Sequence, residues 1–505
     1  MGRESGVAVA SSTSLAARAG AEVAEAGGNA VDAAIAATWV ASVAEPGICA
    51  PGCGGFVTVW EPDGEPETID GYVEMPGRGV DPARFGGGTR TVFLEYGGGV
   101  TMHVGHGSVG TPGGPAALQI ASERHGRLPW AELLRPAVRV ARDGFPLSPA
   151  SSYYLGYSAG PVFGWHPDGH AALHDDAGEP LGEGELVRIP HLDDSLARIA
   201  EKGARDLYTG ELADAIAADM EAHGGLITRE DLAAYRPIVR PALVGAAGGW
   251  SVATNPPPAV GGAVLNAMLA LMEGRPGGAW SEDDVARLVE VQRRVLGFRR
   301  ERVDPREDVE EAVGELVRAF RSASTVHTSA VDAAGVACSI TMSAGYGSGV
   351  MVPGTGLWLN NCLGEIELNR RGLHAWPVGA RLISNMAPTV ARRTGGGEVL
   401  AIGSPGADRI PTAILQVLAN IANAGMAPQE AVGHPRLHLE ATDDGPRVAA
   451  EPGLPRPELD IPWRWFEERS MYFGGAGVAI WSRETGLDGA ADPRRAGAVA
   501  ITRRP

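Results

Sequence analysis

The amino-acid sequence predicts a layered α+β fold. The chain has 505 residues, of which 44% are hydrophobic, so a sizeable core is expected. Residues 115–235 show mainly helical periodicity, whereas strand patterns dominate after residue 325. Because helices and strands come in runs and do not strictly alternate, we expect separate layers of helix and sheet.

Periodicity, turn residues and caps define the individual elements. We predict strands at residues 7–10, 56–60, 67–70, 329–332, 336–341, 357–359 and 399–402, and helices at 15–26, 281–320 and 412–422. Asn29 is predicted to cap a further helix with Asp32 in its first turn, since an Asn side chain accepts from free amides there. Residues 166–180 are expected to form an irregular insertion, because Pro167 and Gly169 disfavour a helix.

Charge excludes several partners and chemistries. The formal net charge is -18, which argues against a nucleic acid or an anionic membrane surface, since both require a basic face. Lys202 is the chain's one lysine and lies in no phosphate-binding or Schiff-base motif. We therefore expect a small-molecule substrate and no cofactor.

Cysteine use and hydropathy indicate a cytoplasmic protein. The chain has four cysteines, too few for a disulfide scaffold and without the paired spacing of a zinc site. The longest apolar run, residues 33–43, is too short to span a bilayer, and the N-terminus lacks a signal-peptide pattern. Three histidines, His166, His170 and His174, have helical spacing, but a solvated loop is the favoured interpretation, and no metal site is predicted.

Thr325 heads an apolar strand with the sequence TVHTSAVD. If the peptide bond before it is cut, one residue carries both a hydroxyl and a new α-amine. That amine has a reference pKa of about 7.7 to 8.0, so near physiological pH it can take the hydroxyl proton. Residues 321–324 fit a cleavage site, although Ser324 is an alternative new terminus. The alternative is that Thr325 has no catalytic role and simply begins a strand, where β-branched residues are common.

Seven motifs occur in a fixed order along nearly the whole chain. They are GGNAVDAA at 27–34, SVGTPG at 108–113, GRLPW at 126–130, PPPAVGG at 256–262, TVHTSAVD at 325–332, GTGLWLNN at 354–361 and GSPG at 403–406. Each is weak alone, but together they resemble the gamma-glutamyltransferase family of N-terminal nucleophile hydrolases.

This resemblance implies a fold, a processing step and catalytic roles. The fold would be a four-layer αββα sandwich, and the precursor would cut itself into a large subunit, residues 1–324, and a small subunit, residues 325–505. Thr325 would attack an acyl carbon and pass the acyl group to water or an amine. Ser343 matches the hydroxyl that orients the nucleophile, and Gly406 and Ala407 match the oxyanion-hole pair, where Ala407 still supplies an N–H.

The substrate positions depart from the family pattern. Tyr72 stands where the family uses an arginine for the substrate carboxylate, and a phenol cannot replace that charged fork. Cys362 and Glu365 replace the residues that hold the substrate amine. Losing such a charge-assisted pair costs about 1.5 to 3 kcal/mol, so we expect a non-standard substrate.

Further positions enter the predicted substrate site. The family's serine pair becomes Ser384 and Asn385. His327 shares the expected face of Thr325, and for it a packing role and a site role are both open. Arg78 or Arg381 is an alternative partner for a substrate carboxylate, which would preserve a glutamyl substrate.

Three functional hypotheses follow. The first is a self-processing acyl hydrolase or transferase. The second is a hydrolase of carbon–carbon bonds in secondary metabolism, as in alkylproline-type pathways, which uses the same nucleophile but expels a stabilised carbanion. The third is an uncleaved family member that acts without catalysis as a binding protein. The electrophoretic pattern of the fresh protein separates the third from the others, since an uncleaved protein runs as one band.

Overall fold

Two stacked β-sheets lie between layers of helices. The computed structural model describes residues 6–95, 99–272, 279–302, 326–366, 369, 371–442 and 444–503. The strands are β1 Val7–Ser11, β2 Gly54–Trp60, β3 Glu67–Gly71, β4 Arg90–Leu94, β5 Val100–Val104, β6 Phe145–Pro146, β7 Leu186–Val187, β8 Ile238–Pro241, β9 Leu243–Ala247, β10 Trp250–Thr254, β11 Val326–Asp332, β12 Ala337–Ser343, β13 Met351–Val352, β14 Leu357–Trp358, β15 Thr389–Arg393, β16 Glu398–Gly403, β17 Leu437–Thr442, β18 Gly445–Ala450, β19 Trp463–Trp465, β20 Gly477–Ser482, β21 Gly486–Ala491 and β22 Ala498–Ile501. The helices are α1 Ser14–Glu25, α2 Ala30–Ala44, α3 Gly114–His125, α4 Trp130–Asp143, α5 Pro149–Ser158, α6 Pro167–Leu173, α7 Leu192–Lys202, α8 Asp206–Thr209, α9 Glu211–Ala222, α10 Arg229–Ala234, α11 Gly261–Met272, α12 Glu282–Arg302, α13 Ile410–Ala422 and α14 Pro428–Gly433.

The first sheet has seven strands in the order β22-β1-β11-β12-β2-β3-β8, and the second has six in the order β21-β20-β16-β15-β10-β9. Neighbouring strands within both sheets are antiparallel. In the first sheet, β11 and β12 lie between β1 and β2, so segments from both ends of the chain alternate. Neither end of the chain can form this sheet alone.

Apolar contacts hold the layers together. Between the sheets, Val331 and Ala337 from the first sheet pack with Val390 and Ala401 from the second. Helices α1 and α2 cover the outer face of the first sheet, and α11 and α13 cover the second. This arrangement confirms the four-layer αββα fold.

Helix α2 shows how the sequence builds one of these layers. All of its residues are buried, as expected for a helix that is apolar on every side. The Asn29 side chain accepts hydrogen bonds from the Val31 and Asp32 amides, and the Asp32 carboxylate accepts from the Asn29 amide. This capping box confirms the predicted helix start.

The predicted hairpins are present, but one segment was assigned wrongly. Residues 326–343 form β11 and β12 joined by a turn at Gly335, as the sequence predicted. The expected irregular insertion at 166–180 instead contains α6, which begins at Pro167. Proline is well tolerated in the first helical turn, where its missing N–H has no partner to lose, so Pro167 starts this helix. Within the described ranges, no helix has both the length and the apolar character needed to cross a membrane.

Candidate active site

A cleft opens where β12 ends and where the loop after β16 leads into α13. Ser343 at the end of β12 lines this cleft, together with Gly406 and Ala407 from the loop. The structure therefore brings together three of the four positions that the sequence assigned to catalysis.

The fourth position, Thr325, lies outside the described residues. Val326, the next residue along the chain, is the first residue of β11 and pairs with Met342 in β12. Ser343 follows Met342 and lines the cleft. Strand β11 therefore begins beside the cleft wall.

The turn after Ser343 joins the cleft to a second segment of the chain. The buried Ser343 hydroxyl oxygen accepts a hydrogen bond from the Gly345 amide at 2.9 Å. Gly345 has a φ of 64°, and a Cβ there would lie 2.1 Å from Asn361 Oδ1 and 2.9 Å from Glu365 Oε1. Only glycine fits this close approach. The segment that carries Cys362 and Glu365 is thus held next to the cleft.

Gly406 and Ala407 form part of the cleft wall in an unusual backbone conformation. Their φ angles are 128° and 53°. Gly406 caps a short 3-10 turn, Ala407–Arg409, that leads directly into α13. The positive end of a helix dipole therefore points towards this wall, which suits a developing negative charge. Ala407 is an L-residue in the left-handed region, a conformation that favours glycine.

Four predicted substrate residues meet in a buried group, here called the Tyr72 cluster: Tyr72, Cys362, Glu365 and Ser384. The Tyr72 phenol lies close to the Cys362 thiol and to Ser384, and its ring stacks on Phe56 with 5.7 Å between the ring centroids. All four members are buried. Residues far apart in sequence thus come together in one buried group; their assignment to a substrate site stays a prediction.

Burial controls the charge of this cluster. Desolvation raises the pKa of the Tyr72 phenol well above its ordinary value, and the nearby Cys362 and Glu365 raise it further. Desolvation, followed by the charge of Glu365, also raises the pKa of the Cys362 thiol. Both groups are therefore neutral at physiological pH. The cluster offers hydrogen-bonding groups and one carboxyl, and no member is a guanidinium.

Asn385 lies beside the Tyr72 cluster against the start of α11. The Ser384 carbonyl accepts a hydrogen bond from Val260 at 2.9 Å, and a Cβ on Gly261 would lie 2.8 Å from the Asn385 carbonyl oxygen. The glycines of the 256–262 motif therefore allow α11 to pack on this segment. Asn385 is buried, and its Oδ1 makes no hydrogen bond with any described residue.

His327 lies between the two sheets. Its Nδ1 is 3.0 Å from Thr341 Oγ1, its Nε2 is 2.6 Å from Ser329 Oγ, and a Cβ on Gly403 would lie 2.4 Å from its ring. Burial lowers the pKa of His327 to about 3, so the ring is neutral. These contacts favour the packing role among the two that the sequence left open.

The two arginines considered as replacements for the family's arginine are both held by carboxylates. Arg381 lies 3.3 Å from Glu74 and 3.6 Å from Asp70, and its guanidinium stacks over Tyr235 at 4.4 Å. Arg78 lies 3.0 Å from Asp231. These contacts are charge-assisted pairs within the fold, which a substrate carboxylate would have to displace.

Sequence reasoning missed Glu45, which lies behind the cleft. Gly47 and Ile48, just after α2, line the cleft, and the Glu45 carbonyl accepts from the Ile48 amide at 3.1 Å. Burial raises the pKa of the Glu45 carboxyl to about 7, and the nearby Ser12 hydroxyl and the charge of Arg495 oppose that rise. A glutamate between an apolar helix and a Pro-Gly turn was the available sequence signal.

Arg495 was missed as well, and a buried ion cluster positions it at the cleft. Asp492 lies 2.7 Å from Arg436 and 3.1 Å from Arg494, and Arg494 also pairs with Glu451. All four side chains are fully or almost fully buried. The cluster fixes the 3-10 turn Pro493–Arg495, and the last residue of this turn, Arg495, lines the cleft.

The histidines with geometry for a metal ion are not the three that the sequence analysis considered. His170 and His174 stack at 4.0 Å along α6 and its C-cap. Among the described residues, the group of histidines and carboxylates with geometry for a metal ion is instead His106, Asp219 and His223. Two of these are 113 positions apart, so no local motif reveals them.

Comparison with known proteins identifies the family. The fold and cleft define a sandwich of the N-terminal nucleophile hydrolase class, and the family model described as gamma-glutamyltranspeptidase matches residues 16–322 and 318–502. The chain therefore belongs to the gamma-glutamyltranspeptidase family and is an enzyme of the hydrolase and transferase class.

Several relatives share most of their length with this chain. The glutathione hydrolase proenzyme of Escherichia coli (strain K12) is 31% identical over 490 residues, which cover 87% of this chain and 82% of the relative. The acylase ACY 1 proenzyme of Pseudomonas sp. (strain SE83) is 31% identical over 84% of this chain and 81% of its own. The crystal structure of cephalosporin acylase from Bacillus halodurans is similar with a TM-score of 0.78 and 26% identity, covering 98% of this chain and 96% of that chain.

The Glu45 carboxyl predicts a pH-dependent stability. A rise of its pKa from 4.5 to about 7 corresponds to about 3 kcal/mol. Because the folded-state pKa is raised, this stability is present at pH 4.5 and is lost as pH rises to 7. Glu45→Gln should reduce the fall in the free energy of unfolding between these pH values, measured by urea denaturation. Exposed Glu65→Gln is the control, and an equal fall in wild type and Glu45→Gln contradicts the prediction.

Because Ala407 has a left-handed backbone conformation, its replacement by glycine is expected to have little effect on stability. Glycine relieves the strain of the left-handed conformation, which stabilises the fold by about 1–2 kcal/mol. Glycine also makes the unfolded chain more flexible and removes a buried methyl group, and each of these effects destabilises the fold by about 0.8 kcal/mol. Ala407→Gly should therefore change the free energy of unfolding by less than about 1 kcal/mol. Ala413→Gly, at a buried alanine inside α13, should cost about 2 kcal/mol. Equal losses at the two positions would refute the strain at Ala407.

Proposed function

We propose that this enzyme is a self-processing acyl hydrolase that uses Thr325 as its nucleophile. The main support for this proposal is the pairing of β11 with β12. In this register, the strand that follows Thr325 begins beside Ser343. Gly406 and Ala407 line the same cleft. A nucleophile, an orienting hydroxyl and an oxyanion wall would then converge on one acyl carbonyl.

Each residue has a defined role in this proposal. The α-amine of Thr325 accepts the proton of its own hydroxyl, and the hydroxyl oxygen attacks the acyl carbon. Ser343 donates a hydrogen bond that orients the attacking oxygen. Backbone N–H groups at Gly406 and Ala407 stabilise the oxyanion, helped by the N-terminus of α13. When the tetrahedral intermediate collapses, the bond from the acyl carbon to the leaving group breaks, and the protonated α-amine gives its proton to that group. Water or an amine then attacks the acyl-enzyme, takes the acyl group and restores the Thr325 hydroxyl.

The proposal requires cleavage into two subunits, residues 1–324 and 325–505. Both relatives named above are called proenzymes, which supports processing here. The small subunit would contribute β11 and β12 to the middle of the first sheet, between β1 and β2 of the large subunit. Such interleaving supports a heterodimer that stays assembled after the cut.

We further propose that the acyl donor is a small molecule other than an ordinary γ-glutamyl amide. The Tyr72 cluster presents a neutral phenol and a neutral thiol where the family pattern has a carboxylate-binding arginine. Arg78 and Arg381 are engaged by Asp231, Asp70 and Glu74. A relative named acylase supports a broader range of acyl donors in this branch of the family. Carbon–carbon hydrolysis and the uncleaved binding protein remain the alternative hypotheses.

Replacing the nucleophile tests processing and catalysis together. Thr325→Ala should leave a single full-length band on a denaturing gel and lower turnover by about three orders of magnitude or more. Thr325→Ser keeps a hydroxyl and should still process. Ser324→Ala should process normally, because the proposed cut lies after it. Wild-type turnover by an uncleaved Thr325→Ala protein would refute the proposal.

A matched pair of acyl donors tests the altered pocket. γ-Aminobutyryl-p-nitroanilide differs from γ-glutamyl-p-nitroanilide by the α-carboxylate alone. A carboxylate–arginine pair contributes about 1.5–3 kcal/mol, or about 10-fold to 150-fold in affinity. We expect the kcat/KM values of processed wild type for the two donors to agree within about 10-fold, with Thr325→Ala as the blank. A γ-glutamyl preference of about 100-fold would contradict the proposed substrate divergence.

A further inference from the structure

His106, Asp219 and His223 form a compact group away from the cleft. His106 begins a short 3-10 turn, His106–Ser108, after β5. Asp219 lies in the last turn of α9, and His223 caps that helix four residues later. Helical spacing of four places Asp219 and His223 on one face of the helix, where both meet the turn.

The distances suit a shared cation. His106 Nε2 lies 3.1 Å from Asp219 Oδ2, and His223 Nδ1 lies 3.0 Å from Asp219 Oδ1. One ligand atom from each residue lies within 4.8 Å of the other two. Tetrahedral zinc with bonds of about 2.0–2.1 Å sets its ligand atoms about 3.3 Å apart. Shifts of about 1.5 Å or less would therefore complete the coordination.

Burial and hydrogen bonding point to the same ligand. His106 and Asp219 are buried. Although His223 Nδ1 lies 3.0 Å from Asp219 Oδ1, the contact lacks hydrogen-bond geometry, and the same nitrogen lies 3.0 Å from the Asp219 backbone carbonyl. Within the described part of the chain, Asp219 Oδ1 therefore has no aligned hydrogen-bond donor. Such a buried carboxylate oxygen is costly, and a cation removes that cost. The rings of His106 and His223 stack at 4.6 Å, and the His223 side chain is 54% exposed. The group thus has a buried side and an entry side.

We propose that His106, Asp219 and His223 bind a divalent transition-metal ion of the Zn²⁺ type. Two imidazoles and one carboxylate are ligands that zinc prefers, and three protein ligands leave a fourth position for water at the exposed His223 side. The sequence predicted no metal site, because its ligands come from separate elements. The site is distinct from the Thr325 cleft and does not depend on the proposed acyl chemistry.

A metal here would also stiffen one support of the Tyr72 cluster. The Leu363 amide donates to the Ser108 carbonyl at 3.1 Å, and the His103 amide donates to the Gly364 carbonyl at 3.0 Å. The turn that begins at His106 is therefore bonded directly to the segment that carries Cys362 and Glu365. Binding would tie this turn to α9 and so hold that segment in place.

Metal titration of the full chain tests the site. Chelator-stripped protein should bind one Zn²⁺ per chain by calorimetry. His223→Gln should weaken Zn²⁺ binding by at least about 10-fold. Replacing even a residue that only hydrogen-bonds to a metal ligand lowers metal affinity by about 10-fold to 100-fold. Co²⁺ should give visible d–d bands without the intense near-ultraviolet absorption of a thiolate complex. His223 is half exposed, so this variant should keep the wild-type melting temperature without metal.

A second variant locates the bound metal. His170→Gln combined with His174→Gln removes the stacked pair on α6 and should leave Zn²⁺ affinity unchanged. Loss of binding in this double variant, equal affinity in His223→Gln and wild type, or a thiolate spectrum with Co²⁺ would each overturn the proposal. These measurements need no turnover, so their outcome is separate from that of the Thr325 proposal.

Discussion

The structure depends on the placement of β11 in the middle of the first sheet. This strand pairs with β1 on one side and β12 on the other, and every one of its residues is buried. Helix α2 packs on its outer face, and strands β16 and β20 of the second sheet pack on its inner face. Val326, the first residue of β11, is therefore held in a closely packed position. In the proposed function the nucleophile directly precedes Val326, so it would need little further orientation.

The polar groups near the start of β11 fall into two sets, one buried between the sheets and one lining the cleft. His327 and Ser329 fill the space between the sheets and hydrogen-bond within it, and the neutral imidazole gives the core a satisfied polar group. Ser343, Gly406 and Ala407 instead face the cleft. The neutral Tyr72 phenol belongs to a separate buried cluster, at a position that the sequence assigned to the substrate. In the proposed function, the same fold carries a catalytic wall that matches the family pattern and a substrate pocket that departs from it.

Local patterns predicted the elements whose signals are local. The capping residues Asn29 and Asp32, the β11–β12 hairpin and the loop at Gly406 follow from short motifs with fixed geometry. The assignment at Pro167 was wrong because proline disfavours the interior of a helix but is well tolerated in its first turn, where Pro167 lies. Glu45, Arg495 and the group at His106 were missed because packing between distant segments creates them. Motif alignment placed Tyr72 with Cys362, whereas periodicity alone gives no such pairing.

Mass spectrometry of the enzyme during turnover tests the central claim most directly. Protein that is mixed with an acyl donor and quenched in acid should contain a fragment that begins at Thr325 and carries the acyl mass. Peptide mapping should place that mass on Thr325 itself. An acyl group on another side chain, or an unsplit chain that turns over the donor, would contradict the account.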